Sequence, residues 1–150
     1  MVFATGNMFE QLAILHLLAT GFMVGLIWTI HAVHYPLFAF VPEPYEPFQS
    51  EHMSRITKLL VVPWGIEVFT ALGLVLTAET DTQRNWSLAG GVLVVGIVAV
   101  TGLLAAPAHG RLLQRFDPEE HRQLMRVDLL RTLLWTARGG VALAIGLAIT

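Results

Sequence analysis

Apolar residues run along this chain in four long blocks, over about 11–40, 59–78, 86–108 and 133–149, with most polar positions gathered in the short intervals between them. A bilayer core about 30 Å thick is crossed by roughly 20 mostly apolar helical residues. Each block is long enough to serve. A helix on the surface of a water-soluble bundle keeps a polar face, and block 86–108 has none. Gly90, Gly91 and Gly96 in that block suit close helix contact in lipid. The pattern predicts an all-α integral membrane protein: one transmembrane domain over 1–150, an antiparallel four-helix bundle with cytoplasmic helical extensions.

The intervals carry their own signals. Asp117-Pro118-Glu119-Glu120 offers an N-cap, a proline at the first helical position and acids in the first turn. Neither glycine nor proline interrupts the chain from there to Gly139, which predicts one helix from Pro118 into the fourth span. Residues 42–56, PEPYEPFQSEHMSRI, read as a proline-punctuated turn feeding a helix that starts near Pro47. No Lys or Arg precedes the first apolar run, which does not match a cleavable signal peptide.

Composition sharpens this picture. Only 13% of residues are charged, against about 25% in ordinary soluble domains. The net charge of −2 leaves no basic surplus for a nucleic-acid partner. With no cysteine, thiolate nucleophiles, disulfides, zinc ribbons and iron–sulfur ligation are excluded, and any metal must be held by His, Asp, Glu or Met. Arg55 and Lys58 flank the first interval, and Arg111, Arg115, Arg122, Arg126 and Arg131 occupy or border the third. The second holds only Arg84. The positive-inside rule then places intervals one and three in the cytoplasm and both termini outside, in a bacterial inner membrane. Of the four tryptophans, only Trp86 reads as an interface anchor.

Charged residues inside apolar runs are costly and therefore informative. Helical rise puts Glu67 and Arg138 at matched depth near the midplane, where opposite charges are expected to pair. Nearer the cytoplasmic side, HAVHYPLF at 31–38 sets His31 and His34 three apart on one helix face, with Tyr35 adjacent. That spacing can also present two imidazoles to a metal. Pro36 frees a carbonyl one turn earlier. Asp128, Arg131, Trp135 and Arg138 form one stripe of the last helix that must face inward. His109 closes the third span, and His52 and Arg55 are expected to roof the same vestibule. His121 reads as solvated surface and His16 as a packing residue.

GLIWTIHAVHYPLFAFV, APAHGRLLQRFD and DLLRTLLWTARG together make the chain resemble the small four-span membrane proteins of the anthrone-oxygenase-like group. The group's motifs fall on Tyr35, Pro36 and Leu37, on Pro107 and His109, and on Asp128, Arg131 and Thr132. His109 and Asp128 stand where the group commonly has Asn. The resemblance implies a four-helix membrane bundle and cofactor-independent oxidation of a polycyclic aromatic substrate.

Two readings follow. In one, an oxidoreductase or binder takes a small lipophilic carbonyl- or phenol-bearing molecule into a pocket of His31, His34, Tyr35, His109, Asp128 and Arg131, with Glu67 and Arg138 deeper. A histidine or Glu67 is then the base, and an arginine stabilises an enolate or phenolate oxygen. A variant holds haem or a transition metal on the histidines. In the other reading the chain is a non-catalytic subunit, in a homo-oligomer or with a membrane-complex partner, and its charges only hold helices together.

Overall fold

The structure, a computed structural model, describes residues 7–148, and all of its regular elements are helical. Helix α1 (Met8–Thr29) continues through a π-helical turn (Ile30–His34) and a 3-10 segment (Tyr35–Phe40). Then come α2 (Glu46–Thr77), α3 (Asp81–Val100), a second π-helical turn (Thr101–Ala105), α4 (Ala106–Arg111) and α5 (Pro118–Leu147). Ile149 and both chain ends lie outside the described residues.

Local chemistry accounts for the boundaries. Asn7 caps α1 through the Glu10 amide, and Thr80 and Gln83 form a reciprocal capping box on α3. The Asp117 carboxylate accepts from the Glu119 and Glu120 amides, so α5 starts at Pro118 and runs unbroken. Each π turn is followed within two residues by a proline, Pro36 and Pro107. A proline ring lacks an N–H and crowds the carbonyl four residues back. The widened turn accommodates that crowding, with Tyr35 N–H bonding to Ile30 C=O and Ala106 N–H to Thr101 C=O.

Three continuous helical stretches, Met8–Phe40, Glu46–Thr77 and Asp81–Arg111, are long and apolar enough to cross a membrane. The apolar half of α5 falls short of them because Arg131 and Arg138 stand in it. Both arginines are buried, and Leu129, Leu133, Leu143 and Leu147 of the same helix face outward. Helix α1 packs against α2 and α5, and α3 against α5 and α2.

The packing is inverted relative to a water-soluble domain. Phe40, Phe69, Leu76, Val92 and Leu103 are exposed, whereas His16, Glu67, Asp128, Arg131 and Arg138 are buried. An apolar exterior around buried, mutually paired charges is the pattern of a chain solvated by lipid. The main core gathers Met23, Ile27, Ile30, Tyr35, Phe38, Ile97, Leu112, Leu124 and Trp135 at the end of the molecule that carries both π turns. A smaller cluster, Phe9, Ala13, Leu74 and Ile145, closes the other end.

Candidate functional site

Two groups of buried polar side chains occupy the interior. In the deeper one, Arg138 Nε donates to Glu67 Oε1 at 2.5 Å, joining α5 to α2 at the depths the sequence matched. Arg138 Nη2 also donates to His16 Nε2 at 2.8 Å. His16 must therefore carry its proton on Nδ1, which donates to Thr70 Oγ1 at 2.8 Å, and Thr70 in turn donates to the Ile66 carbonyl at 2.7 Å. His16 is thus not the simple packing residue its position suggested. It is a neutral link that occupies the second edge of the guanidinium. Gly90 is required here: a Cβ at that position would lie 1.9 Å from Arg138 Nη1.

The second group lies at the π turns. Asp128, fully buried, accepts from Arg131 Nη2 at 2.7 Å and from His31 Nδ1 at 3.0 Å. His34 turns elsewhere, its Nε2 meeting His52 Nδ1 at 2.9 Å. The shared face expected for His31 and His34 is lost because the wider π turn advances each residue by less around the axis. Their side chains diverge to α5 and α2, and they do not present a metal pair. Tyr35 Oη lies 2.7 Å from His109 Nε2, and Gln49 Nε2 reaches both Nδ1 (3.2 Å) and the carbonyl (3.4 Å) of His109. His121 is not free surface: its Nε2 donates to the Tyr35 carbonyl at 2.9 Å.

Two cavities adjoin this group. A cleft of about 520 Å3 is lined by His34, Phe48, Glu51, His52, Arg55 and Leu59. A smaller cavity of about 200 Å3 is lined by Tyr35, Trp64, Thr101, His109 and Arg131, with Met53, Ile56, Leu60, Val61, Ala105 and Ala106 among its apolar walls. Three of its polar atoms, Arg131 Nε, Trp64 Nε1 and Thr101 Oγ1, are buried and take no protein partner. Several helical threonines, Thr29, Thr77, Thr132 and Thr136 among them, bond to the carbonyl four residues back. Thr101, at the start of a π turn, does not.

The arrangement differs from the sequence expectation in several respects. Tyr35, His109 and Arg131 do meet at one cavity, but helix α2 supplies its fourth wall. His31, Asp128, Glu67 and Arg138 line neither cavity: His31 pairs with Asp128 and Arg138 with Glu67, although Glu67 Oε2 and Arg138 Nη1 take no partner. Arg55 does not roof the smaller cavity. It lines the cleft, where its largely exposed guanidinium pairs with Glu51 at 2.6 Å. His52 lines the cleft and stacks its ring 5.5 Å from that of His109. Gln49, Trp64 and Thr101 were missed. The spacing of Gln49 to His52 and the indole beside Pro63 in an otherwise apolar run were the available signals.

Among the described residues, no group of three or more His, Asp or Glu is placed to hold a metal ion. His109 spends both ring nitrogens, on Tyr35 and Gln49, whereas His34 and His52 spend one each on the other, His31 spends one on Asp128, and His52 Nε2 is buried without a partner. Comparison with family models, curated proteins and solved structures finds no match to this chain.

Proposed function

We propose that this chain is an integral membrane protein, an antiparallel four-helix bundle. Its 200 Å3 cavity binds a small lipid-dissolved molecule that carries a carbonyl or phenolic oxygen on an apolar body. The observation that carries the reading is that Arg131, Trp64 and Thr101, whose Nε, Nε1 and Oγ1 atoms are buried and unpartnered, all line one largely apolar space. A buried donor without a partner costs about 1–3 kcal/mol, and an oxygen-bearing ligand seated among these residues relieves that cost through its two lone pairs. Apolar walls with a few convergent polar groups are the usual make-up of a small-molecule site.

Bound there, an enolate or phenolate oxygen faces the Arg131 guanidinium, which suits electrostatic stabilisation of developing negative charge. That chemistry accords with an oxidoreductase of the anthrone-oxygenase-like kind, the group the motifs resemble. The deeper Glu67–Arg138–His16 cluster is assigned a purely structural part, since it adjoins neither cavity. Orientation follows the basic residues: both termini outside, and the intervals bearing Arg55, Lys58, Arg115 and Arg122 in the cytoplasm of a bacterial inner membrane. A cysteine placed at Arg122 should resist impermeant labelling of intact cells, and ready labelling would reverse the orientation.

The binding test uses 1-tetralone, a bicyclic ketone, titrated into the protein in lipid nanodiscs with empty nanodiscs as control. Thr101→Val removes one donor at nearly constant volume and Trp64→Phe removes another while keeping an aromatic ring; each should weaken binding roughly fivefold. Affinity unchanged in both variants counts against this cavity as the site.

A further inference from the structure

The proton on His109 decides what the cavity can recognise, and Gln49 decides where that proton sits. The Gln49 amide is oriented by two fixed neighbours. Its Oε1 takes the Tyr45 hydroxyl at 3.3 Å, and its opposite end faces the His109 carbonyl, which only accepts, at 3.4 Å. The atom facing that carbonyl is therefore Nε2. The same Nε2 lies 3.2 Å from His109 Nδ1. An N–H pointed at Nδ1 requires that nitrogen to be the unprotonated acceptor, so the imidazole proton is on Nε2. His109 Nε2–H then donates to Tyr35 Oη across 2.7 Å. Tyr35 cannot return its own proton to a nitrogen that is already protonated. The phenolic O–H is left to point elsewhere, and Tyr35 lines the smaller cavity.

We infer that Gln49 is a positioning residue that locks the tautomer of His109 and so turns Tyr35 into a donor. The ligand's polar head is consequently an acceptor, a ketone or quinone oxygen, rather than a hydroxyl. This rests on the binding reading above and narrows its ligand class. With the lock in place, Tyr35 joins Arg131 and Trp64 as donor residues of the cavity lining, and the hydroxyls of Thr57 and Thr101 can either donate or accept. A carbonyl oxygen only accepts; an alcohol has as many lone pairs but also brings a hydrogen that must find an acceptor, and among these residues only the threonine hydroxyls offer one. Of the groups around His109, Arg131 is a donor already engaged with Asp128, and His34 and His52 spend one nitrogen each on the other, leaving His52 Nε2 without a partner on a ring 6.0 Å from that of Tyr35.

The experiment has two independent readouts on the full chain in nanodiscs. The first is the 15N spectrum of histidine-labelled protein, with the His109 signal assigned by its loss in His109→Asn. The inference expects a proton on Nε2 in the wild type, transfer to Nδ1 in Gln49→Glu, whose carboxylate accepts, and a mixture in Gln49→Met. The second is affinity for 1-tetralone against 1-tetralol, the same skeleton bearing C=O or CH–OH. The wild type should favour the ketone by roughly fivefold or more, and Gln49→Glu and Gln49→Met should both reduce that preference. Gln49→Met adds no buried charge and so keeps the test alive if Gln49→Glu does not fold.

A wild-type His109 protonated on Nδ1 overturns the lock whatever binds. Equal affinity for ketone and alcohol overturns the ligand class while leaving the cavity a binding site. Binding of neither compound, with the proton on Nε2, supports the lock and overturns the binding reading.

Discussion

The two polar groups inside this protein each leave buried polar atoms unmet, Glu67 Oε2 and Arg138 Nη1 in one and Arg131 Nε in the other, and they differ in whether a cavity adjoins them. Around Arg138 the guanidinium meets Glu67 and His16, His16 meets Thr70, and Thr70 returns to the backbone, tying α1, α2 and α5 together at a point that Gly90 of α3 lets the arginine approach. Neither cavity touches it. Around Arg131 the same kind of side chain spends Nη2 on Asp128 and keeps Nε unpaired at a cavity wall, beside an indole and a hydroxyl in the same condition. Buried charge by itself therefore does not mark function in a membrane interior. What separates a clasp from a site is whether unspent polar atoms face room for a ligand.

The largest effect expected from this contrast lies in the clasp. Glu67→Gln or Arg138→Gln leaves a buried charge without its partner and should cost about 3–5 kcal/mol of stability. The double variant should be less damaged than the two losses added. Thermal melting in detergent checks this, and strictly additive losses would contradict a direct contact. Gly90→Ala comes next. The added methyl must displace Arg138 Nη1, and overpacking of this kind costs about 1–3 kcal/mol. A wild-type melting temperature for that variant would mean the guanidinium moves freely.

Tyr35→Phe should behave in the opposite manner. It removes one neutral hydrogen bond, so the stability loss should stay near 1 kcal/mol, while ketone affinity falls. A variant that melts as far below wild type as Arg138→Gln, with affinity intact, would erase the distinction between the two groups. The smallest effect is at the α5 cap, remote from both. The Glu120 and Glu119 amides hold the Asp117 carboxyl below its ordinary range. A depressed folded-state pKa stabilises above the unfolded value and ceases to do so as pH falls through the folded one. The Glu119 and Glu120 amide signals should therefore titrate with a midpoint below about 3.9, and should not do so in Asp117→Ala. A midpoint at or above that value would show that the cap does not hold the charge.

Much of this was readable from linear information. Helix positions, the unbroken α5, the Asp117 cap, the inward stripe of Asp128, Arg131, Trp135 and Arg138, and the Glu67–Arg138 match follow from periodicity, rise per residue and the cost of charge in apolar surroundings. These are properties of a residue and its near neighbours along one helix. Only the tertiary structure decided which polar groups are spent on each other. The π turns before Pro36 and Pro107 rotate His31 away from His34 and leave Thr101 without its usual carbonyl. Gln49, separated by 60 residues from His109, orients that imidazole, and Trp64 lines the cavity from α2. Hydrogen-bond satisfaction belongs to pairs of atoms brought together by packing, so the sequence by itself specifies the donors and acceptors and the fold alone determines which of them remain unmet.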